Sequence, residues 1–442
     1  MVTYSKKIRE DKNMLGLGSF FGSKTDAVIY LTLFILIESV FLNSSFQIVT
    51  GPILTVIFLY LYFCKKKSVL VTTFIIVAND ALGTIFFGKI SFQYLLLLFL
   101  AFELVTKSKI RVRYFILAII AVIMAVQPYF TSVTAFKSVI YSVVYIWTLI
   151  TQYQKYEKDE FIENLMFAGS IIVGLIALHA IISGGVVYVE AQHTEYYQEY
   201  QRRGILGAGI GDPNFSSLLL CTGIVCTVNN HCMRWYEKSA IYAITTVAMS
   251  VTLSASGILA FVLVNLLSVV VNRKLSKGLR RLVLLLLIGV GIFQIYLSLP
   301  EACHIADIDA YIEKMEIKYN AFVNGDFYSA TTGRSDLADK YLHYINQEQT
   351  LGRQLFGGNS VVELGIATHN TYLSWILQFG YLGFIMLLLY ACKRLLKIYL
   401  SEKNDIRRFS LIIKALYLFF IATLSVFDGS TFALMFFFLF VL

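Results

Sequence analysis

The sequence predicts an all-α fold: a polytopic integral membrane protein of about 14 (12–14) transmembrane helices with a large helical extracytoplasmic loop. Three observations carry that expectation. Of 442 residues, 57% are hydrophobic and only 15% charged, where a soluble domain runs at roughly 45–50% apolar and about 25% charged. Apolar runs of about 17–25 residues, the length a helix needs to cross the ~30 Å hydrocarbon core of a bilayer, recur from Val28 to Leu442. Lys and Arg sit in short clusters between those runs, so the formal charge of +9 reads as orientation signals and not as a nucleic-acid surface. Four Pro, and 35 Phe beside 28 Tyr, exclude a disordered or collagen-like chain.

The opening MVTYSKKIREDKNM is polar, and no small-residue cleavage site follows the first apolar run, so no signal peptide is expected. Spans are expected at 28–43, 47–64, 69–87, 91–106, 112–127, 135–152, 162–187, 214–230, 239–254, 257–271, 282–299, 369–391, 410–427 and 431–442. The Ser-rich SVTLSASG between two of them, and the shortness of the last, set the range of the count. Residues 1–299 then hold spans 1–11 with a short external loop at 188–213, residues 300–368 form an extracytoplasmic cap, and 369–442 hold the C-terminal spans. With a cytoplasmic N-terminus, KKK (65–67), KSKIRVR (107–113), QKYEKDE (154–160), CMRWYEK (232–238), NRKLSKGLRR (272–281) and KRLLKIYLSEKNDIRR (393–408) all fall inside. The cap contains two helix-like stretches, 305–322 and 335–349, the second with Leu337, Tyr341, Tyr344 and Ile345 at helical spacing. Cys64, Cys221, Cys226, Cys232, Cys303 and Cys392 show no CxxC spacing and read as packing residues, with no disulfide framework and no zinc site.

Three pieces on the expected outer face concentrate polar chemistry. In Ala367-Thr-His-Asn-Thr-Tyr-Leu-Ser-Trp-Ile-Leu-Gln-Phe-Gly-Tyr-Leu-Gly383 a helix opens with a His at the water boundary. Gly333-Arg334 is followed downstream by Leu355-Phe356-Gly357-Gly358. Arg203-Gly204 is followed by Gly211-Asp212-Pro213-Asn214-Phe215. In this order the pieces resemble the loop elements of the O-antigen polymerase and O-antigen ligase family, over roughly residues 200–385; the first 190 residues resemble it only in being apolar spans. The chain departs from that pattern at Leu253-Ser254-Ala255-Ser256, where many members have a Ser-Arg pair, and in that the loop 300–368 lacks a Trp after Gly333-Arg334.

The resemblance implies a membrane glycosyltransferase that polymerises polyprenyl-pyrophosphate-linked oligosaccharide repeat units into an O-antigen, capsule or exopolysaccharide, on the outer face of a bacterial cytoplasmic membrane. It implies no cofactor, no metal and no nucleic acid. Its partners are the lipid-linked oligosaccharide, the bilayer, and a flippase and chain-length regulator of the same pathway. Ligation of finished glycan to its final acceptor is the alternative. The residues permit this chemistry. Arg offers a permanent charge and a bidentate fork for pyrophosphate, so Arg203 and Arg334 are candidates, with Arg202 and Arg353 as further substrate contacts. An acceptor hydroxyl needs a group that takes its proton, and His titrates near the working pH, which points to His369. Asp212, Asn214 and Asn370 complete the expected substrate-binding set.

Each residue also has a structural alternative. His369 can serve a helix start, Asp212 and Asn214 can cap the following helix, Arg203 can anchor at the lipid interface, and Arg334 can be a solvated charge. Asp336 and Asp339 share a helical face, a weak glycosidase signal, and His193, His304 and His343 read as solvated. Glu38, Asp80, Glu103, His179 and Lys414 fall inside spans and must face the bundle interior. They are the basis of a rival transporter reading.

Overall fold

A computed structural model describes residues 68–77, 84–86, 90–91, 111–126, 136–182, 187–189, 203–205, 213–252, 254–271, 319–326, 334–359, 368–401, 404–424, 426 and 429–442, with isolated positions at 56, 59–62, 98–99, 102, 106, 312, 316–317 and 364. The chain is all-α in class. In order, it forms α1 Ser68–Val77, the strands β1 Thr84–Phe86 and β2 Ile90–Ser91, then α2 Val112–Val126, α3 Phe136–Lys155 and α4 Lys158–Ile182. The short strands β3 Val187–Val189 and β4 Arg203–Ile205 follow, then α5 Pro213–Asn229, α6 Trp235–Val251 and α7 Ala255–Val270. The cap contributes α8 Arg334–His343, a π-turn at Tyr344–Glu348 and α9 Leu351–Phe356, after which come α10 Thr371–Ser401, α11 Asn404–Ile421 and α12 Gly429–Phe436, the last running into a π-turn at Phe437–Val441.

The helices start and stop for local reasons. Pro213 occupies the first position of α5, where its missing N–H costs nothing. Glu237, three residues past Arg234, turns back to accept the Arg234 N–H at 2.7 Å and so closes the start of α6. Ser254 does the same work for α7, its Oγ accepting from Gly257 N at 3.0 Å. Neighbouring helices then pack on one core, α4 against α1, α5 and α6, α5 against α7 and α11, and α3 against α2 and α12. Small residues let them close in: a Cβ on Gly223 of α5 would stand 2.5 Å from the Val173 side chain of α4, and one on Gly169 of α4 would stand 2.7 Å from the Cys226 sulfur.

Two contacts tie segments beside the basic clusters together at one end. Arg111 N donates to Gln154 Oε1 at 3.1 Å, and Arg113 Nη2 donates to Tyr390 OH at 3.1 Å. Tyr153, Phe161 and Phe437 stack edge to face or tilted, with centroids 5.4–5.8 Å apart. The opposite end, here termed the mouth, carries the start of α5, the α6–α7 junction, the start of α10 and the α11–α12 turn.

Among the described residues the helices fall close to the expected runs, with three corrections; the runs 28–43 and 282–299 lie outside the described residues. In the run 69–87 the described helix is Ser68–Val77, and Thr84–Phe86 pairs antiparallel with Ile90–Ser91, at the start of the run expected at 91–106. Likewise in the run 162–187 the described helix is Lys158–Ile182, and Val187–Val189 pairs with Arg203–Ile205. Both strands are triplets of β-branched and aromatic residues beside glycines, which favours extended pairing over helix. The basic segment 393–401 is not a loop but the end of α10, because Ala391, Arg394 and Ile398 turn inward at helical spacing. Cys221 and Cys226 are buried as packing residues, whereas Cys392 is exposed.

By length and composition, two helical segments among the described residues suffice to cross a membrane, Lys158–Leu178 and Thr371–Leu400. Shorter apolar helices cover Val112–Val126, Asn214–Asn229, Ser256–Ser268 and Thr431–Val441.

Candidate functional site

Residues far apart in sequence converge at the mouth on the turn that follows α11. Arg334, at the first position of α8 and half-buried, donates from Nη1 to the Thr423 carbonyl at 3.2 Å. Thr371, buried at the first position of α10, donates its hydroxyl to the Leu424 carbonyl at 2.5 Å and accepts from Val426 N at 3.0 Å. The cap and the α10 start are therefore fastened to successive residues of one turn. Beside that fastening lies His369, exposed, with a backbone φ of 49°. A non-glycine residue in that region carries strain. Asn370 follows as the N-cap of α10, its Oδ1 accepting from Tyr372 N at 2.9 Å and Leu373 N at 3.3 Å. Thr368, buried, shares a 2.7 Å hydrogen bond with Ser374 Oγ and fixes the other side of His369.

A second polar group sits at the start of α5. Asn214, 6% exposed, accepts at Oδ1 from both Ser254 Oγ and Ser256 Oγ, each at 2.7 Å, while Ser217 and Thr252 share a 2.9 Å hydrogen bond one turn deeper. The antiparallel register of α5 and α11 relates this group to the first. Thr222 donates to Tyr417 OH at 3.4 Å, and eight residues from each, at about 1.5 Å per residue, bring Asn214 to the level of the turn held by Arg334 and Thr371.

The cap is joined to α10 by a crossing of glycine backbones. Gly380 (φ 66°, ψ 178°) breaks α10. The carbonyls freed by the break, Leu377 and Gln378, accept from Asn359 N and Gly358 N, each at 3.0 Å. A Cβ on Gly380 would lie 2.2 Å from the Leu355 carbonyl carbon, and one on Gly357 would lie 2.3 Å from the Gln378 oxygen. The Leu355-Phe356-Gly357-Gly358 element and the Gly380 of the His369 segment are thus two halves of one joint. Above it, Tyr341, Ile345, Leu337 and Tyr344 of the cap pack on Leu373, Ile376 and Leu377.

Of the expected site residues, Arg334, His369, Asn370 and Asn214 stand at the mouth. Arg203 is placed by its backbone, paired with Val189 in the β3–β4 ladder, and β4 packs against α5; its side chain is outside what is described. Arg202 and Asp212 lie outside the described residues. So do Glu38, Asp80 and Glu103. Arg353 is exposed on α9 and donates to Asn359 Oδ1 at 3.3 Å. Asn370 and Asn214 spend their side-chain oxygens on structural hydrogen bonds. Thr371, Ser254 and Ser256 were not foreseen, since a hydroxyl beside an apolar run carries no distinguishing spacing. Lys414 is 1% exposed and donates to the Phe438 and Leu439 carbonyls, and Arg394 donates to those of Val441 and Leu442, so both side chains satisfy the π-turn that ends α12. Among the described residues no three His, Cys, Asp or Glu side chains form a metal cluster.

Comparison with known proteins gives no match: no family profile, no curated protein and no solved structure corresponds to the chain.

Proposed function

We propose that the protein is a polytopic membrane glycosyltransferase that joins polyprenyl-pyrophosphate-linked oligosaccharide units into a surface polysaccharide, with its site on the extracytoplasmic face of a bacterial cytoplasmic membrane. The observation that carries the reading is the meeting of Arg334 and the His369–Thr371 segment on the 423–426 turn. These are the residue types that the sequence resemblance links to glycan transfer, and they stand at one end of the bundle. The membrane part is supported by helices that turn apolar side chains outward: Phe115, Ile116, Ile119 and Ile123 on α2, Leu259, Val262 and Leu266 on α7, and Leu382, Met386 and Leu389 on α10 are all exposed. Exposed apolar area on that scale is foreign to a water-soluble surface.

In this mechanism the acceptor sugar oxygen attacks the anomeric carbon of the donor unit. The bond from that carbon to the pyrophosphate oxygen breaks, and polyprenyl pyrophosphate leaves. One in-line displacement inverts the anomeric centre. Arg334 stabilises charge accumulating on the pyrophosphate, and His369 takes the hydroxyl proton as the new bond forms. Asn214 and the paired serines order the mouth. The transporter alternative drew on charges inside the spans; Lys414, the one of these with a described side chain, is committed to backbone carbonyls, which favours the enzyme.

The test is chain formation by the protein reconstituted in vesicles with a lipid-linked repeat unit. His369→Ala should lose about 10²–10⁴-fold in rate, with EDTA without effect on the parent protein. Near-normal rates for both His369→Ala and Arg334→Ala refute the site. A deletion strain separates the alternatives: single repeats on the final acceptor mark a lost polymerase, and long chains held on the carrier mark a lost ligase.

A further inference from the structure

We infer that Thr371 is a positioning residue for the proposed transfer: its hydroxyl clips the turn 424–426 to the start of α10 and so sets the seat from which Arg334 meets the pyrophosphate, at a fixed spacing from His369. The inference rests on the glycosyltransferase reading above and adds which group keeps its two functional side chains in register.

A threonine hydroxyl has one proton to give and two lone pairs, and inside a helix it is ordinarily spent on the carbonyl four residues back. Thr73, Thr148, Thr222, Thr227 and Thr245, all buried, do this at 2.7–2.8 Å. Thr371 stands at the first position of α10, where no turn of its own helix precedes it. Its hydroxyl reaches instead to the Leu424 carbonyl, 53 residues along the chain, at 2.5 Å, and accepts from the Val426 N–H at 3.0 Å. Nor does α10 need it as a cap, since Asn370 Oδ1 already takes the N–H groups of Tyr372 and Leu373. A fully buried hydroxyl that serves no helix of its own is thus committed to holding a distant turn.

That turn lies past the end of α11 at Ile421. Ala422 and Thr423 still fold back on the helix, their N–H groups donating to the Phe419 and Phe420 carbonyls at 3.2 and 2.9 Å. The Leu424 carbonyl and the Val426 N–H come next, and Thr371 holds both. Between these two anchorages the Thr423 carbonyl is the seat of Arg334. On the other side, α10 is fixed to α11 itself by Tyr372 OH, which donates to the Leu418 carbonyl at 2.9 Å, while Thr368 and Asn370 hold the backbone around His369. Loss of the Thr371 hydroxyl therefore releases the turn, and Arg334 with it, and leaves His369 in place. What changes is spacing: transfer needs the leaving pyrophosphate and the departing hydroxyl proton served in one in-line geometry, and a misplacement of about 1 Å costs about 10²-fold.

Steady-state chain formation in vesicles, on the lipid-linked repeat unit, reads this in Thr371→Val, Thr371→Ala and Thr371→Ser, with monodisperse elution required of each. Val keeps the shape and removes both hydrogen bonds. Ala leaves room for a water to bridge Leu424 and Val426, so a folded variant is at hand should Val fail to fold. Both are expected to lose about 10–10²-fold in kcat with KM within about threefold, and Ser, which keeps the hydroxyl, should recover kcat to within about threefold. Thr227→Val, which removes an equally buried hydroxyl bonded inside α5, should leave both constants unchanged. In an Arg334→Ala background, Thr371→Ala should cost less than about threefold more, because groups that act as a unit fail together. A parental kcat in Thr371→Ala overturns the inference and leaves the enzyme reading standing. So does an unrecovered Thr371→Ser, a rise in KM with kcat unchanged, or a full multiplicative loss in the Arg334→Ala background. A parent protein that forms no chain from the lipid-linked unit overturns the glycosyltransferase reading, and this inference with it.

Discussion

Replacing Gly380 by Ala tests the joint between cap and bundle. The backbone there, φ 66° and ψ 178°, lies in a region essentially reserved for glycine, and a side chain forced into it costs about 1–3 kcal/mol. The added Cβ would also lie 2.2 Å from backbone atoms of Leu355, which cannot swing aside as a side-chain tip would. Opening the joint removes the hydrogen bonds from Gly358 N and Asn359 N, worth about 0.5–1.5 kcal/mol each. Those bonds are lost on opening in parent and variant alike, so the joint is weakened by the strain itself, roughly 1–3 kcal/mol, a large share of the ~5–15 kcal/mol of a whole fold. Trypsin cleavage at Arg353 in mixed micelles reads the open fraction when reclosing is fast. At about 1.4 kcal/mol per decade cleavage should accelerate roughly 5-fold to 150-fold. Gly357→Ala should behave alike, and the double variant should add little, because the joint opens only once. Gly352→Ala is the control, since its Cβ meets nothing within 4 Å, and it should leave cleavage unchanged. Equal cleavage of Gly380→Ala and Gly352→Ala would refute the reasoning.

Three further outcomes follow from the mouth. Arg334→Lys keeps the charge but loses the planar fork, so chain formation should fall nearly as far as in Arg334→Ala; full activity of the Lys variant marks Arg334 as a general charge. His369→Gly separates strain from chemistry: relief of a positive φ, about 1–2 kcal/mol, outweighs the freer unfolded chain, about 0.4–1 kcal/mol, so thermal stability should hold or rise slightly while rate drops about 10²–10⁴-fold. A stable variant with parental rate removes His369 from the mechanism. Reporter fusions after Lys67, Lys274 and Asn324 should report inside, inside and outside, and an external signal at either lysine overturns the proposed topology.

Helix positions could be read in the sequence wherever the apolar period was long and its partners local. Leu337, Tyr341, Tyr344 and Ile345 marked a cap helix because a single face had to be covered, and Tyr341 and Ile345 are buried there. Pro213 marked the start of α5 for the same kind of local reason. The break at Gly380 was hidden, because Phe379-Gly380-Tyr381 in an apolar run reads as uninterrupted span; its cause is a segment more than twenty residues upstream whose N–H groups take over the freed carbonyls. The helical end of α10 was hidden by its charges, since Arg394 turns inward only where the carbonyls of Val441 and Leu442 await it. At the mouth, the identities of Arg334 and His369 stood out by chemical type, whereas the roles of Thr371 and Ser256 depend on atoms brought from distant helices.

The Thr423 carbonyl that receives Arg334 lies 89 residues further along the chain. At a synthesis rate of about 5–20 residues per second, it emerges roughly 4–18 seconds after the arginine does. Through that interval the cap segment is already made while the turn that fastens it has yet to be, and Thr371 waits similarly for Leu424 and Val426, 53 and 55 residues later. Arrival of the α11–α12 hairpin thus completes the mouth, which withholds the assembled arrangement from a nascent chain that has yet to make that hairpin.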